Sequence, residues 1–169
     1  MRITYDRLTP PRLHPLGKSA VRALLAGLGP DAREAVERLR AIHFGWNQRT
    51  SQEGQVAQRD DDSFEIRVNF TVADGESRVL RDDAPWIKSV RLCGGTADLR
   101  TGVVTWPPGT PERYAAFLLL HELAHVVYAI RMNDGLIEGS RSPGAEERFC
   151  DEWALARTPS PRSAPSAGA

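Results

Sequence analysis

The sequence predicts an α+β fold: a small, mostly antiparallel sheet packed on one long helix and a C-terminal helix. Three observations carry this. Phe64, Ile66, Val68 and Phe70 alternate with Glu65, Arg67 and Asn69, the period-two pattern of a half-buried strand. Residues 110–132 run without an internal glycine and with apolar positions at helical spacing. Ser142-Pro143 then opens a second helical stretch after a glycine-containing loop. With 169 residues the chain can build one domain with a real core and is too short for two large ones.

Element by element, residues 1–16 read as proline-rich and irregular, and 18–28 as a short amphipathic helix broken at Gly29-Pro30. A second helix is expected from Pro30 to His43, with Pro30 at its start, Asp31 and Glu34 in the first turn, and Ala32, Ala35, Val36, Leu39 and Ile42 at helical spacing. Residues 45–63 are polar and aperiodic and read as a loop. After the strand at Phe64, Asp74-Gly75 signals a turn, and Arg78 to Leu80 begins a return strand. Trp86 to Cys93 reads as a further strand, continued by Thr96 to Leu99 after Gly94-Gly95. Arg100-Thr101-Gly102 is a tight turn and Val103 to Trp106 a last short strand. Thr110 is placed to cap the long helix, with Pro111 at its first position and Glu112 in the first turn. The last helix runs to about Ala156. The tail from Thr158 is low in complexity and expected to be disordered. This divides the chain into an N-terminal helical segment (1–45), the main domain (46–157) and a tail (158–169).

Composition excludes several classes. Apolar residues make up 41% and charged residues 26%, and 22 basic side chains balance 22 acidic ones. No bulk charge invites a polyanion, so no nucleic-acid partner is expected. No stretch reads as a membrane span, which needs about 20 apolar residues, and residues 1–15 lack a secretory h-region. The two cysteines, Cys93 and Cys150, make no disulfide framework, which fits free thiols in a reducing cytoplasm.

The chemistry sits in the long helix. His121-Glu122-Leu123-Ala124-His125 is an H-E-x-x-H motif, and it takes two of the four histidines in the chain. Residues four apart share a helix face, so both imidazoles can point at one ion. Glu122 is rotated about 100° from His121 and can reach a metal-bound water without ligating the metal. One stripe of the helix holds Ala115, Ala116, Leu119, Leu123, Val126 and Ile130. The opposite one holds Tyr114, Leu118, His121, His125, Tyr128 and Met132, so the helix is expected to be buried on two sides. A catalytic zinc takes three protein ligands and keeps one position open. His14 and His43 lie far upstream without a motif. The last helix offers Glu146, Glu147, Asp151 and Glu152, with Glu147 and Asp151 on one face.

H-E-x-x-H followed by Glu147-Arg148-Phe149-Cys150-Asp151 and Trp153-Ala154 resembles the gluzincin pattern of thermolysin-like and minimal zincin peptidases, over residues 90–156. The overall look is similar to small bacterial and phage peptidases of the ImmA/IrrE type. Cys150 stands where many members carry alanine. The resemblance implies a minimal zincin-like domain holding Zn²⁺ through His121, His125 and Glu147, with Glu146 an open alternative for the third ligand. It implies that Asp151 orients a histidine, by family likeness His121. It implies a peptide or protein substrate, hydrolysed as Glu122 activates the zinc-bound water and laid along an edge strand near Val103 to Trp106. Tyr128 is the candidate oxyanion donor, with Tyr114, His43 or an arginine as alternatives. The other reading is a catalytically inactive zincin-like binding or regulatory module, with residues 18–43 meeting a regulatory protein partner. A closed structural zinc site would need Cys150 as a further ligand.

Overall fold

Residues Leu39–Phe44 determine the architecture, and they form a strand where a helix was expected. The computed structural model describes residues 1–46, 53–78, 84–138 and 142–160, apart from the side chains of 78 and 84–86. The helix starting near Pro30 is a 3₁₀ turn, Pro30–Ala32, followed by a short helix, Arg33–Glu37. The chain then becomes extended. Four strands, β1 (Arg2–Tyr5), β2 (Leu39–Phe44), β3 (Gly54–Gln58) and β4 (Phe64–Val68), make a sheet in the order β1-β2-β4-β3. β2 lies parallel to β1 on one side and to β4 on the other. Leu39, Ala41, Ile42 and Phe44 are all buried, on both faces of the strand. An interior parallel strand reads as a near-continuous apolar run, and in this sequence that run also matches a helical stripe. Two further expectations change with it. The irregular N-terminus contains β1, and the polar loop of 45–63 contains β3, which pairs antiparallel with β4. The larger sheet is therefore mixed, with two parallel pairings and one antiparallel.

A smaller antiparallel sheet holds β5 (Glu76–Arg78), β6 (Thr96–Asp98) and β7 (Val103–Thr105) in the order β5-β7-β6. The Asp74-Gly75 turn is present, both residues at positive φ (51° and 76°), and so is the turn at Gly102. The return strand starts at Glu76, before the expected Arg78, and pairs with β7. Residues 79–80 lie outside the described residues. Trp86 to Cys93 is not a strand: Ala84–Leu92 forms a helix. Ser89 and Val90 are buried there, as is Cys93 just past the helix end, while Lys88 and Arg91 are exposed. That is a helical, not an alternating, division of faces.

Among the described residues the helices are α1 (Lys18–Ala26), α2 (Arg33–Glu37), α3 (Ala84–Leu92), α4 (Thr110–Met132) and α5 (Pro143–Arg157). With the two sheets they make an α+β fold. α4 spans the expected residues, but Gly109, at φ 80°, occupies the capping position, and the Thr110 hydroxyl donates to Pro107 O at 2.6 Å. α4 packs against α5, β3, β4 and α2 and is buried over most of its length, with Glu112, Arg131 and Met132 exposed. By length and composition α4 could cross a membrane, a possibility the sequence reading had excluded. In this fold 67% of that window is buried in the interior, as in the core helix of a soluble protein.

Residues 1–45 are not a separable helical segment. β1 and β2 share a sheet with β3 and β4, so a boundary at 45/46 cuts one sheet. Asp31 ties the same segment to both long helices. Its Oδ2 accepts from the Trp153 indole N–H (3.0 Å) and the Arg157 guanidinium (2.7 Å), and Arg131 donates to its carbonyl (2.7 Å). Burial works to raise the Asp31 carboxyl, but Trp153, Arg157 and Arg131 outweigh it and hold it below its ordinary value. A depressed carboxyl stabilises the fold above its unfolded value and loses that contribution as pH falls through the folded one. Asp31→Ala is expected to cost about 2 kcal/mol at neutral pH. In a chain of this size that lowers Tm by about 4–8 °C. Thermal unfolding at pH 7 and below pH 3 checks this: the gap between variant and wild type should shrink in acid. The tail begins in order, with Thr158 buried and its hydroxyl donating to Ala154 O (2.8 Å); residues 161–169 lie outside the described residues.

Candidate metal centre

His121 and His125 lie one turn apart in the middle of α4, rings 5.0 Å apart and at 74° to each other. What aims them is α5. Glu146 Oε1 lies 2.7 Å from Nδ1 of His125. Asp151 Oδ1 lies 3.0 Å from Nδ1 of His121, an ion-pair contact that approaches off the line of the ring N–H. A carboxylate can only accept, so the Glu146 contact places the proton of neutral His125 on Nδ1 and leaves its Nε2 with a lone pair, and the Asp151 charge beside Nδ1 favours the same tautomer in His121. Both Nε2 atoms turn toward one side chain: Glu147 Oε2 is 3.5 Å from that of His121, and Oε1 is 3.7 Å from that of His125. One donor atom from each of the three residues lies within 4.8 Å of the others, a spacing that could hold a metal ion.

Of the two adjacent glutamates, the structure puts Glu147 with the donor atoms and Glu146 behind His125. Glu146 as an orienting group is the role the sequence reading missed. Neighbours on a helix point about 100° apart, so consecutive glutamates can serve different histidines. Only the placement of α5 on α4 decides which serves which. The imidazoles are largely buried (15% and 14% side-chain exposure), whereas Glu147 is 62% exposed, so the centre opens on the Glu147 side.

Glu122 is buried. Burial raises its carboxyl; His121 and His125 pull against that, and Glu147 adds to it. The residue over it is Gly54, the first of β3. A Cβ on Gly54 would lie 2.1 Å from Glu122 Oε1 and 2.6 Å from its Cδ, so the strand backbone rests on the carboxylate. Nothing local in the sequence marks Gly54.

The remaining sequence candidates fall elsewhere. The Tyr128 ring packs on Phe149 of α5, centroids 5.5 Å apart. Tyr114 is fully buried, its hydroxyl donating to Glu53 Oε2 at 2.6 Å. His43 is on β2, between Thr4 Oγ1 (2.9 Å) and Asp6 Oδ1 (3.1 Å). Both cysteines are free and buried. Burial first, then the surrounding carboxylates, pushes the Cys150 thiol far above its ordinary value, and among the described residues the grouped donor atoms do not include its sulfur. Val103–Thr105 cannot take a substrate strand, because β7 already has β5 on one side and β6 on the other.

His121 carries a testable consequence. Burial disfavours its charged form, but Asp151, Glu147 and Glu122 outweigh that and raise its pKa to about 9. In the metal-free chain the ring is then protonated at pH 7 and must lose that proton to bind a metal. Titration with Zn²⁺ at pH 7 is expected to release about one proton from His121. Affinity should rise about tenfold per pH unit toward pH 9 and then level. Calorimetry in buffers of different ionisation enthalpy measures the release. An affinity flat from pH 7 to 9 would contradict the assignment.

Comparison of the chain with protein-family models, with curated proteins and with solved structures finds no match.

Proposed function

We propose that the chain is a zinc-dependent peptidase with a minimal zincin-like, gluzincin-type centre. The observation that carries this reading is the convergence of His121, His125 and Glu147, with each imidazole backed by its own carboxylate, beside a buried Glu122 outside that donor group. Two nitrogens and one carboxylate oxygen match the donor set of catalytic zinc sites, which leave a position open. When bound there, zinc would acidify a water and polarise a substrate carbonyl.

The protein's own groups do the rest. Asp151 and Glu146 keep the Nδ1 protons in place, so both Nε2 atoms remain available. Glu122 takes up a proton during attack and returns it to the departing amine. A carboxyl raised by burial suits a group that must both accept and release. The substrate backbone has a template in β3. Among the described residues that strand is the outer member of its sheet. Asn69 N–H donates to Glu53 O (2.7 Å) and Arg59 N–H to Ser63 O (2.9 Å), so odd-numbered residues of β3 bond to β4. The N–H and C=O of Gly54 and Val56 then face the free edge, where an extended peptide can pair beside Glu122.

Two measurements on the purified chain test the reading: metal content and cleavage of an unstructured peptide mixture. About one zinc per chain is expected, together with turnover, and His125→Ala should lose both. Full zinc loading without turnover of any peptide would replace this reading with that of a zincin-like binding module.

A further inference from the structure

We infer that Glu53 and Tyr114 form the pin that sets β3 over the catalytic centre, making both of them positioning residues; this rests on the peptidase reading above. Tyr114 is on α4, seven residues before His121, so it lies two turns along the same face. Its hydroxyl, in a fully buried side chain, donates to Glu53 Oε2 at 2.6 Å. Glu53 immediately precedes Gly54, and its carbonyl receives Asn69 N–H at 2.7 Å, the first rung joining β3 to β4. One residue thus fastens the start of β3 twice, by its side chain to α4 and by its backbone to the sheet. The next residue is the one whose backbone rests on Glu122.

The ring of Tyr114 is held from several sides. It stacks on Trp106 (4.8 Å) and Phe117 (6.1 Å) and meets Phe70 edge-on (5.0 Å), and Phe117 in turn lies 5.9 Å from His121. A hydroxyl on a ring this constrained has little freedom, and a hydrogen bond to a carboxylate is stronger than one between neutral groups. The pin therefore fixes a distance: the helix that carries His121, Glu122 and His125 is registered against the strand that would receive the substrate. The aromatic chain places the pin outside the metal centre, so its loss should leave the metal ligands intact.

Three variants of the full chain test this: Tyr114→Phe, Glu53→Ala and Glu53→Gln. Tyr114→Phe keeps the ring and removes the hydroxyl; Glu53→Gln keeps an acceptor for it. All three should bind zinc as wild type does. For a cleaved peptide, Tyr114→Phe and Glu53→Ala should each raise KM about tenfold, with kcat changed much less. Glu53→Gln should stay near wild type. The Tyr114→Phe/Glu53→Ala double variant should be no worse than either single one, as for a shared contact. Amide exchange over residues 54–58 should accelerate in Tyr114→Phe while that of α4 around His121 stays slow. Wild-type KM in Tyr114→Phe, additive single effects, or unchanged exchange over 54–58 each overturns the inference. Should wild type cleave no peptide, the peptidase reading fails while the exchange arm still decides whether the pin holds β3.

Discussion

Glu122→Gln is expected to retain zinc at the wild-type level and to lose peptide cleavage by a factor between about 10² and 10⁴, the range positioned proton transfer supplies. The substitution is close to isosteric. It removes a charge and a proton-transfer site from a buried position and leaves the shape under Gly54 unchanged. Metal retention is expected because the donor atoms come from His121, His125 and Glu147, each reached from α5 or backed by it. Stability should hold or rise slightly, because a buried carboxylate raised by desolvation is a cost in the folded state. Metal analysis, thermal unfolding and kcat/KM on one substrate separate the outcomes. A variant that cleaves as fast as wild type ends the proposed role of Glu122, whatever its zinc content.

What the sequence made legible is what local periodicity encodes. Helix α4 keeps a 3.6-residue pattern over 23 residues, and H-E-x-x-H places two imidazoles on one face whatever surrounds it. α5, β4 and the turns at Gly75 and Gly102 are likewise written in short stretches. Misread elements are those whose state depends on distant partners. Leu39 and Ile42 fit a helical stripe, but the backbone groups of β2 are taken by β1 and β4 from either side. β3 is polar enough to read as loop, since an outer strand buries only part of itself. α3 carries Ile87 and Val90, residue types favoured in strands, although the buried Ser89, Val90 and Cys93 fall on one helical face. The site divides the same way. Ligand types and their spacing on α4 are sequence-level facts, whereas the separate tasks of Glu146 and Glu147 follow from how α5 crosses α4.

Gly54→Ala is expected to abolish most activity without touching a metal ligand. The added Cβ would stand 2.1 Å from Glu122 Oε1, 2.6 Å from Cδ and 2.8 Å from Cγ, so no small rotation of the carboxylate tip clears it. Glu122 is buried, so it can make room only by leaving its place. Either the side chain swings out of its place or β3 lifts from the helix. Overpacking of this kind costs about 1–3 kcal/mol, and displacement of a reacting group by about 1 Å lowers the rate by about 100-fold. Both routes damage the same step, and they differ in readout. A displaced Glu122 lowers kcat with KM near wild type, whereas a lifted strand raises KM and accelerates amide exchange in β3. Zinc content should stay at wild type in both, because neither route moves His121, His125 or Glu147. Wild-type kcat and KM in Gly54→Ala would mean that β3 is not seated on Glu122 in solution. The substrate template and the pin that positions it would then both fall, leaving the metal ligands as a separate question.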